Sequence, residues 1–175
     1  GLVGSEMCIR DRYITRASNG NTTNYEIPEE YHVKKAASLH VIPLPSKDPK
    51  PNSFWVFVHD TDVTVDSNDK EGTVKVLTIE DDKLESGQVI TSGDFAVSPT
   101  VPINSVEVFE GKHLFMAIGG KGVGYINLTP TQDNEDFFKD QGYSVRDNTY
   151  MFFDFLNDAA IQKYILDGNL FQAVK

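Results

Sequence analysis

Phe54-Trp55-Val56-Phe57-Val58 is the stretch that decides the fold, because it places five strong β-forming residues in an unbroken apolar run. The segment before it, Ser46–Ser53, contains Pro49 and Pro51, which interrupt regular structure. The segment after it, residues 60–72, is acidic. A run this short, bounded by such segments, predicts a strand that is buried on both faces of a sheet.

Further strands are predicted on both sides of this run. Ala37–Leu44 is a short apolar segment ended by prolines, and Thr73–Ile79 alternates in the manner of a strand. A turn is predicted at Asp81–Lys83, followed by another short strand over Gln88–Thr91. Tyr13–Lys35 is polar around an Asn-Gly turn signal, which leaves a frayed strand and a loop as open alternatives.

The same order of elements recurs later in the chain. Strands are predicted over Ser105–Phe109, Leu114–Ile118 and Val123–Leu128, with turns at Glu110–Lys112 and Gly119–Gly122. These glycines suit the tight turns of hairpins, where the backbone adopts positive φ.

The C-terminal part is predicted to hold further strands and one inserted helix. A third buried strand is expected over Tyr150–Phe155, and a partner strand over Ile161–Leu166. The alternative for the latter is a helix over Asp158–Leu166 that ends before Gly168. A short helix is predicted over about Pro130–Lys139, because Thr-Pro-x-Gln resembles a helix start.

Aligned with one another, these segments form a loose repeat. Equivalent buried strands begin at Phe54, Leu114 and Tyr150, and the strands that follow them contain Lys75, Gly124 and Gln162. The intervals bracket the roughly 40–50 residues of one propeller blade. The repeat therefore favours an all-β chain built from blades.

Three segments carry a resemblance to known propellers. Lys75–Leu84 has the succession of strand and acidic turn seen in their blades. Glu110–Ile118, continuing to Tyr125–Leu128, is similar to blades of YVTN-type propellers, and Asn157–Leu170 resembles the end of an NHL-type repeat. The resemblance implies that residues 13–175 are a fragment of a single β-propeller domain, with about three to four blades of an incomplete ring. A β-sandwich surface module is the alternative fold.

The first twelve residues resemble a translated sequencing adapter of the kind used in transposase-based libraries. The match runs without a gap from Leu2 to Asp11 in one reading frame. We therefore expect residues 1–12 to be foreign to the natural protein, with a mobile natural N-terminus as the alternative. Cys8 is the single cysteine, so residues 13–175 offer no disulfide or thiolate chemistry.

The charge of the chain limits its partners. With 16 Lys and Arg against 26 Asp and Glu, the formal net charge is -10. Nucleic acid is therefore not an expected partner, since phosphates are bound by Lys and Arg. No apolar run approaches the roughly 20 residues that span a bilayer, so no membrane insertion is expected. Protein and glycan are the classes of ligand that the charge of the chain leaves open.

One acidic segment has the oxygen density of a metal site. Asp60, Asp62, Thr64 and Asp66 alternate as ligands do in calcium loops, and calcium is the cofactor they would hold. The glycine expected at the centre of such a loop is replaced by Val65. A solvated acidic loop is the alternative interpretation.

Other motifs for catalysis fail on spacing. In Gly119–Gly124, Lys121 is followed by glycine where a phosphate-binding loop needs Ser or Thr. The four histidines share no metal-binding spacing, and no serine lies in a nucleophile elbow. Two glycosylation sequons, at Asn21 and Asn127, weakly favour a secreted or periplasmic protein.

The sequence therefore predicts a recognition or scaffold propeller that binds protein or glycan. The alternative is part of a propeller enzyme, either a lactonase-like hydrolase or a sugar dehydrogenase, with a possible dependence on calcium.

Overall fold

The structure, a computed structural model, describes residues 5–44, 50–62, 73–95, 97–128 and 149–152. These residues form three antiparallel sheets, none of which closes on itself, and the predicted all-β class is confirmed. The chain divides into two compact units, residues 1–91 and 92–175.

The first sheet contains β1 (Ser5–Ile9), β2 (Tyr13–Ser18) and β3 (Asn21–Glu26), in that order. The predicted Asn19-Gly20 turn joins β2 to β3, with φ of 51° and 80°. Both central residues lie in the left-handed region, which is the geometry of a two-residue hairpin turn. Ser5–Ile9 also forms a strand of this sheet. That residues 1–12 are foreign to the natural protein stays a prediction.

The second sheet has four strands in chain order: β4 (Ala36–Pro43), β5 (Phe54–Asp60), β6 (Thr73–Glu80) and β7 (Lys83–Ile90). A 3₁₀ helix over Glu29–Tyr31 precedes it. All residues of β5 except Trp55 are buried, which confirms the strand buried on both faces.

The core of the first unit lies between its two sheets. Apolar side chains from both sheets and from the segment that joins them form one cluster, with exposures of 6% or less: Ile14, Tyr25, Ile27, Val33, Phe54, Val56, Val58, Leu77 and Ile79. Burial of such side chains contributes about 1.5–3 kcal/mol each, so this cluster holds the two sheets face to face.

The second unit contains a 3₁₀ helix over Ser92–Phe95 followed by one sheet. Its strands are β8 (Ile103–Phe109), β9 (His113–Ile118), β10 (Gly122–Asn127) and β11 (Thr149–Phe152), again paired in chain order. The predicted turns at Glu110–Lys112 and Gly119–Gly122 connect these strands and contain the positive φ angles expected of them.

The sheets β4–β7 and β8–β11 share two features. In both, a 3₁₀ helix precedes a four-stranded meander. Both first strands have a register shift near their start, between Ala36 and Ser38 and between Ile103 and Ser105.

Counting along the strands from these shifts makes Lys75 equivalent to Gly124. Lys75 pairs with Val58, and Gly124 pairs with Met116, in the same row of each sheet. The sequence repeat had aligned the strands that contain these two residues.

The prediction that a strand equivalent to β5 begins at Tyr150 is wrong. β11 pairs with β10, so Tyr150 lies in the fourth strand of the second meander and does not begin an equivalent of β5. Apolar composition alone does not distinguish a second strand from a fourth, because either can be buried.

Two other segments contain more structure than the sequence indicated. Tyr13–Lys35, left open between a frayed strand and a loop, forms β2, β3 and the first 3₁₀ helix. The short strand predicted at Gln88–Thr91 is the second half of β7, which begins at Lys83. Gly87 interrupts the pattern there because the ring of Tyr31 packs against it, 3.1 Å from where a Cβ would lie.

Several predictions lie outside the described residues. They include the helix over about 130–139, the strand or helix after residue 157 and the segment that resembles an NHL repeat. Among the described residues, no helix is long and apolar enough to cross a membrane.

Candidate functional site

An open cleft of about 800 Å³ lies in the first unit. The end of β3, the first 3₁₀ helix and the start of β7 border it. Its lining is mostly polar: Arg12, Asn24, Tyr25, Glu26, Ile27, Pro28, Glu29, His32, Asp82, Lys83 and Leu84.

One wall of the cleft is fixed by the contact between Tyr25 and Asp82. The Tyr25 hydroxyl donates a hydrogen bond to Asp82 Oδ1, joining β3 to the turn between β6 and β7. Tyr25 is only 4% exposed, whereas the Asp82 side chain is 45% exposed. Burial and this hydrogen bond raise the pKa of Tyr25 above its ordinary value of 10.0, so the phenol is protonated at neutral pH.

Arg16 contacts the turn that contains Asp82 and so helps to position it. Its guanidinium lies 4.8 Å from the centre of the Phe54 ring, within the range of a cation–π contact. It donates a hydrogen bond of 2.8 Å to Asn52 Oδ1 and lies 3.7 Å from Asp82 Oδ1. β2 and the two turns at residues 52 and 82 are thereby held together.

His32 forms part of the floor of the cleft. Its Nε2 lies 2.9 Å from the carbonyl oxygen of Ile27, which orients the ring. Its own carbonyl accepts a hydrogen bond of 2.6 Å from Lys75 Nζ. The same Nζ forms a 2.7 Å ion pair with Asp60 Oδ2, so the floor is connected to the centre of the second sheet.

Asp60 is a buried carboxylate that the chain itself surrounds with donors. Besides Lys75, it accepts hydrogen bonds from the backbone N–H groups of Lys34, Lys35 and Asp62, at 3.0–3.1 Å. Burial by itself raises the pKa of Asp60. The hydrogen bonds from Lys75, Asp62 and Lys34 outweigh it, and the pKa is lower than the ordinary 3.8.

The predicted calcium ligands are only partly described. Asp60 is 3% exposed and its oxygens accept bonds from the chain itself. Asp62 lies 3.7 Å from Lys34 Nζ. Thr64 and Asp66 lie outside the described residues, so the calcium site stays a prediction. Among the described residues, no three His, Cys, Asp or Glu side chains are grouped to hold a metal ion.

The second unit contains a histidine within an aromatic cluster. His113 Nδ1 lies 2.7 Å from the hydroxyl of the fully buried Tyr125, and its ring stacks beside those of Phe109 and Tyr125. Burial is the main cause that lowers the pKa of His113, so the ring is neutral at pH 7. Two neighbouring charges act on the same ring in opposite directions, since the Glu110 carboxylate raises the pKa of His113 and the Lys112 ammonium lowers it.

Sequence reasoning missed the residues that build the cleft. Arg16 and Tyr25 belong to the segment left open between strand and loop, and Asp82 was predicted only as a turn residue. The Asn19-Gly20 signal could have indicated a hairpin there, but a contact between residues 57 positions apart has no local signature.

No family model, curated protein or solved structure matches the chain.

Proposed function

We propose that the chain is part of a β-propeller with a recognition role, and that it binds protein or glycan through the cleft in the first unit. Two successive meanders with the same preceding helix and the same register shift support the propeller, since blades are four-stranded antiparallel units repeated in chain order.

The observation that supports a binding role is that the cleft combines groups held in place by hydrogen bonds with exposed polar side chains. The groups behind and below its surface are fixed by the chain: Tyr25 by Asp82, Arg16 by Asn52, and His32 by Ile27. The side chains at its rim, Asn24, Glu26, Glu29 and Lys83, are exposed. A rigid floor with polar groups at the rim suits binding, because little ordering is needed when a ligand arrives.

Neighbouring glutamates of the first 3₁₀ helix provide a matched pair of variants. Glu29 lines the cleft, whereas its exposed neighbour Glu30 does not. We would screen the full chain against an oligosaccharide array and a phage-displayed library of random dodecapeptides. Glu29→Lys is expected to weaken retention of the selected ligands and Glu30→Lys to leave it unchanged. Failure to retain any glycan or peptide, or equal effects of both variants, would contradict the proposal.

The alternative, a calcium-dependent propeller enzyme, is separated from recognition by thermal melts. A recognition role without calcium predicts the same melting temperature in calcium and in a chelator. Calcium-dependent stabilisation that disappears in Asp62→Asn would instead favour the enzyme, and lactone hydrolysis by the full chain would then be measured.

A further inference from the structure

We infer that the ligand of the cleft is an extended peptide bearing Lys or Arg side chains, which adds a strand to the edge of β3. The inference rests on the proposed recognition role and narrows its two ligand classes to one. A glycan is the competing outcome of the test.

The edge of β3 provides the first reason. β3 is the last strand of its sheet, and no described strand pairs with its outer side. Counting from the Ser18–Asn21 pair that closes the hairpin, alternate residues Thr22, Asn24 and Glu26 direct their N–H and C=O groups away from β2. Such an edge is the usual template for an added strand.

The position of the cleft provides the second reason. Asn24, Tyr25 and Glu26 of β3 line one side, and Lys83 and Leu84 of β7 line another. An added strand needs about 4.8 Å of clearance beside its neighbour. The cleft of about 800 Å³ lies against these residues of β3 and β7.

The charge at the rim provides the third reason. The carboxylates of Glu26, Glu29 and Asp82 line the cleft, and they outnumber its cations, Arg12 and Lys83. With the net charge of -10, this rim favours a basic segment over an acidic one.

The test uses two variants at one position. Asn24→Pro removes the outward N–H of an edge strand, where proline is tolerated, whereas Asn24→Ala keeps that N–H and loses only the side chain. Dodecapeptides selected on the full chain are titrated against both variants. We expect Asn24→Pro to abolish measurable binding and Asn24→Ala to change the affinity less than about threefold. Amide spectra of each variant establish that it is folded.

Charge gives an independent readout. The selected peptides are expected to contain more Lys and Arg than the library, and a double Glu26→Lys, Glu29→Lys variant is expected to bind them about tenfold more weakly. Peptides that bind Asn24→Pro as well as the parent chain, or that lack basic residues, would overturn the inference.

The same screen distinguishes failure of the peptide inference from failure of the recognition role. If only oligosaccharides are retained, the inference fails and the recognition role stands. If nothing is retained, both fail.

Discussion

Asp60 and Lys75 form an ion pair in which both side chains are largely buried, at 4% and 12% exposure. Removing one charge from such a pair leaves the other buried and unpaired. Asp60→Asn is therefore expected to lower the free energy of unfolding by about 3 kcal/mol at pH 7. Urea denaturation measures this.

The nearby Asp62 is the matched control. Its side chain is 26% exposed and lies 3.7 Å from the exposed Lys34 ammonium, so Asp62→Asn is expected to cost under about 1 kcal/mol. Comparable losses in both variants would show that the local charge, and not the buried pair, stabilises the sheet.

The pH dependence of stability gives a second signature of Asp60. Because its folded pKa is lower than the ordinary 3.8, its contribution is complete above that pH and disappears as the pH falls through the range below. Urea denaturation between pH 2 and 6, taken roughly across this range, is expected to show a shallower acid loss in Asp60→Asn than in the parent chain. Parallel curves would contradict the assignment.

Tyr25 is expected to make the stability of the chain depend on pH in the alkaline range. Its raised pKa means that its contribution is present below pH 10.0 and lost as the pH rises above it. Tyr25→Phe is expected to cost about 1 kcal/mol at pH 7 and to reduce the alkaline loss of stability. Tyr13→Phe, at a tyrosine that is 44% exposed, is the control that should change neither.

At the scale of elements, β10 depends on a glycine at its centre. A Cβ at Gly124 would lie 2.7 Å from Phe95 Cε1 and 2.8 Å from Ile118 Cδ1. Gly124→Ala is therefore expected to destabilise the chain by about 1–3 kcal/mol through overpacking, measured by chemical denaturation.

A control and a rescue make this prediction specific. Gly120 has no atom within 4 Å of its Cβ position, so Gly120→Ala should be close to neutral. Adding Phe95→Leu to Gly124→Ala should recover part of the loss, because the smaller side chain makes room. An equal loss in both alanine variants would indicate a backbone effect.

The elements differ in how far the sequence predicts them. β5, β6, β9 and β10 were predicted within about two residues of their bounds because their apolar runs end at strong turn signals. The segment of β2 and β3 was left open between a frayed strand and a loop, because only Ile14 and Tyr25 on them are buried, too few to show alternation. The first half of β7 contains Glu85-Ser86-Gly87, which has little strand propensity.

The cleft is less predictable than the strands for a physical reason. Its contacts join strands to turns that are distant in the chain, as in the bonds of Arg16 to Asn52 and Tyr25 to Asp82, which span 36 and 57 residues. Burial patterns determine which residues face the core, but they leave open which turn meets which strand. The polar residues of the cleft therefore carry no periodic signal.

At the scale of the whole molecule, the sheets are expected to make the chain self-associate. None of the three described sheets closes, and their outer strands have one edge that no described strand covers. Such edges are templates for pairing with a second copy. Sedimentation is expected to show species heavier than the 19.5 kDa monomer, with an apparent melting temperature that changes with protein concentration.

A variant at the edge of β3 tests whether strand pairing there causes the self-association. Asn24→Pro blocks pairing there, so it should lower the fraction of associated species if β3 is the edge used, while Asn24→Ala should not. Unchanged association in Asn24→Pro would assign it to another edge, such as β7 or β8. A sharp, monomeric and concentration-independent melt of the parent chain would instead mean that the sheets satisfy their edges alone, and would contradict the proposal that these meanders are blades of an incomplete ring.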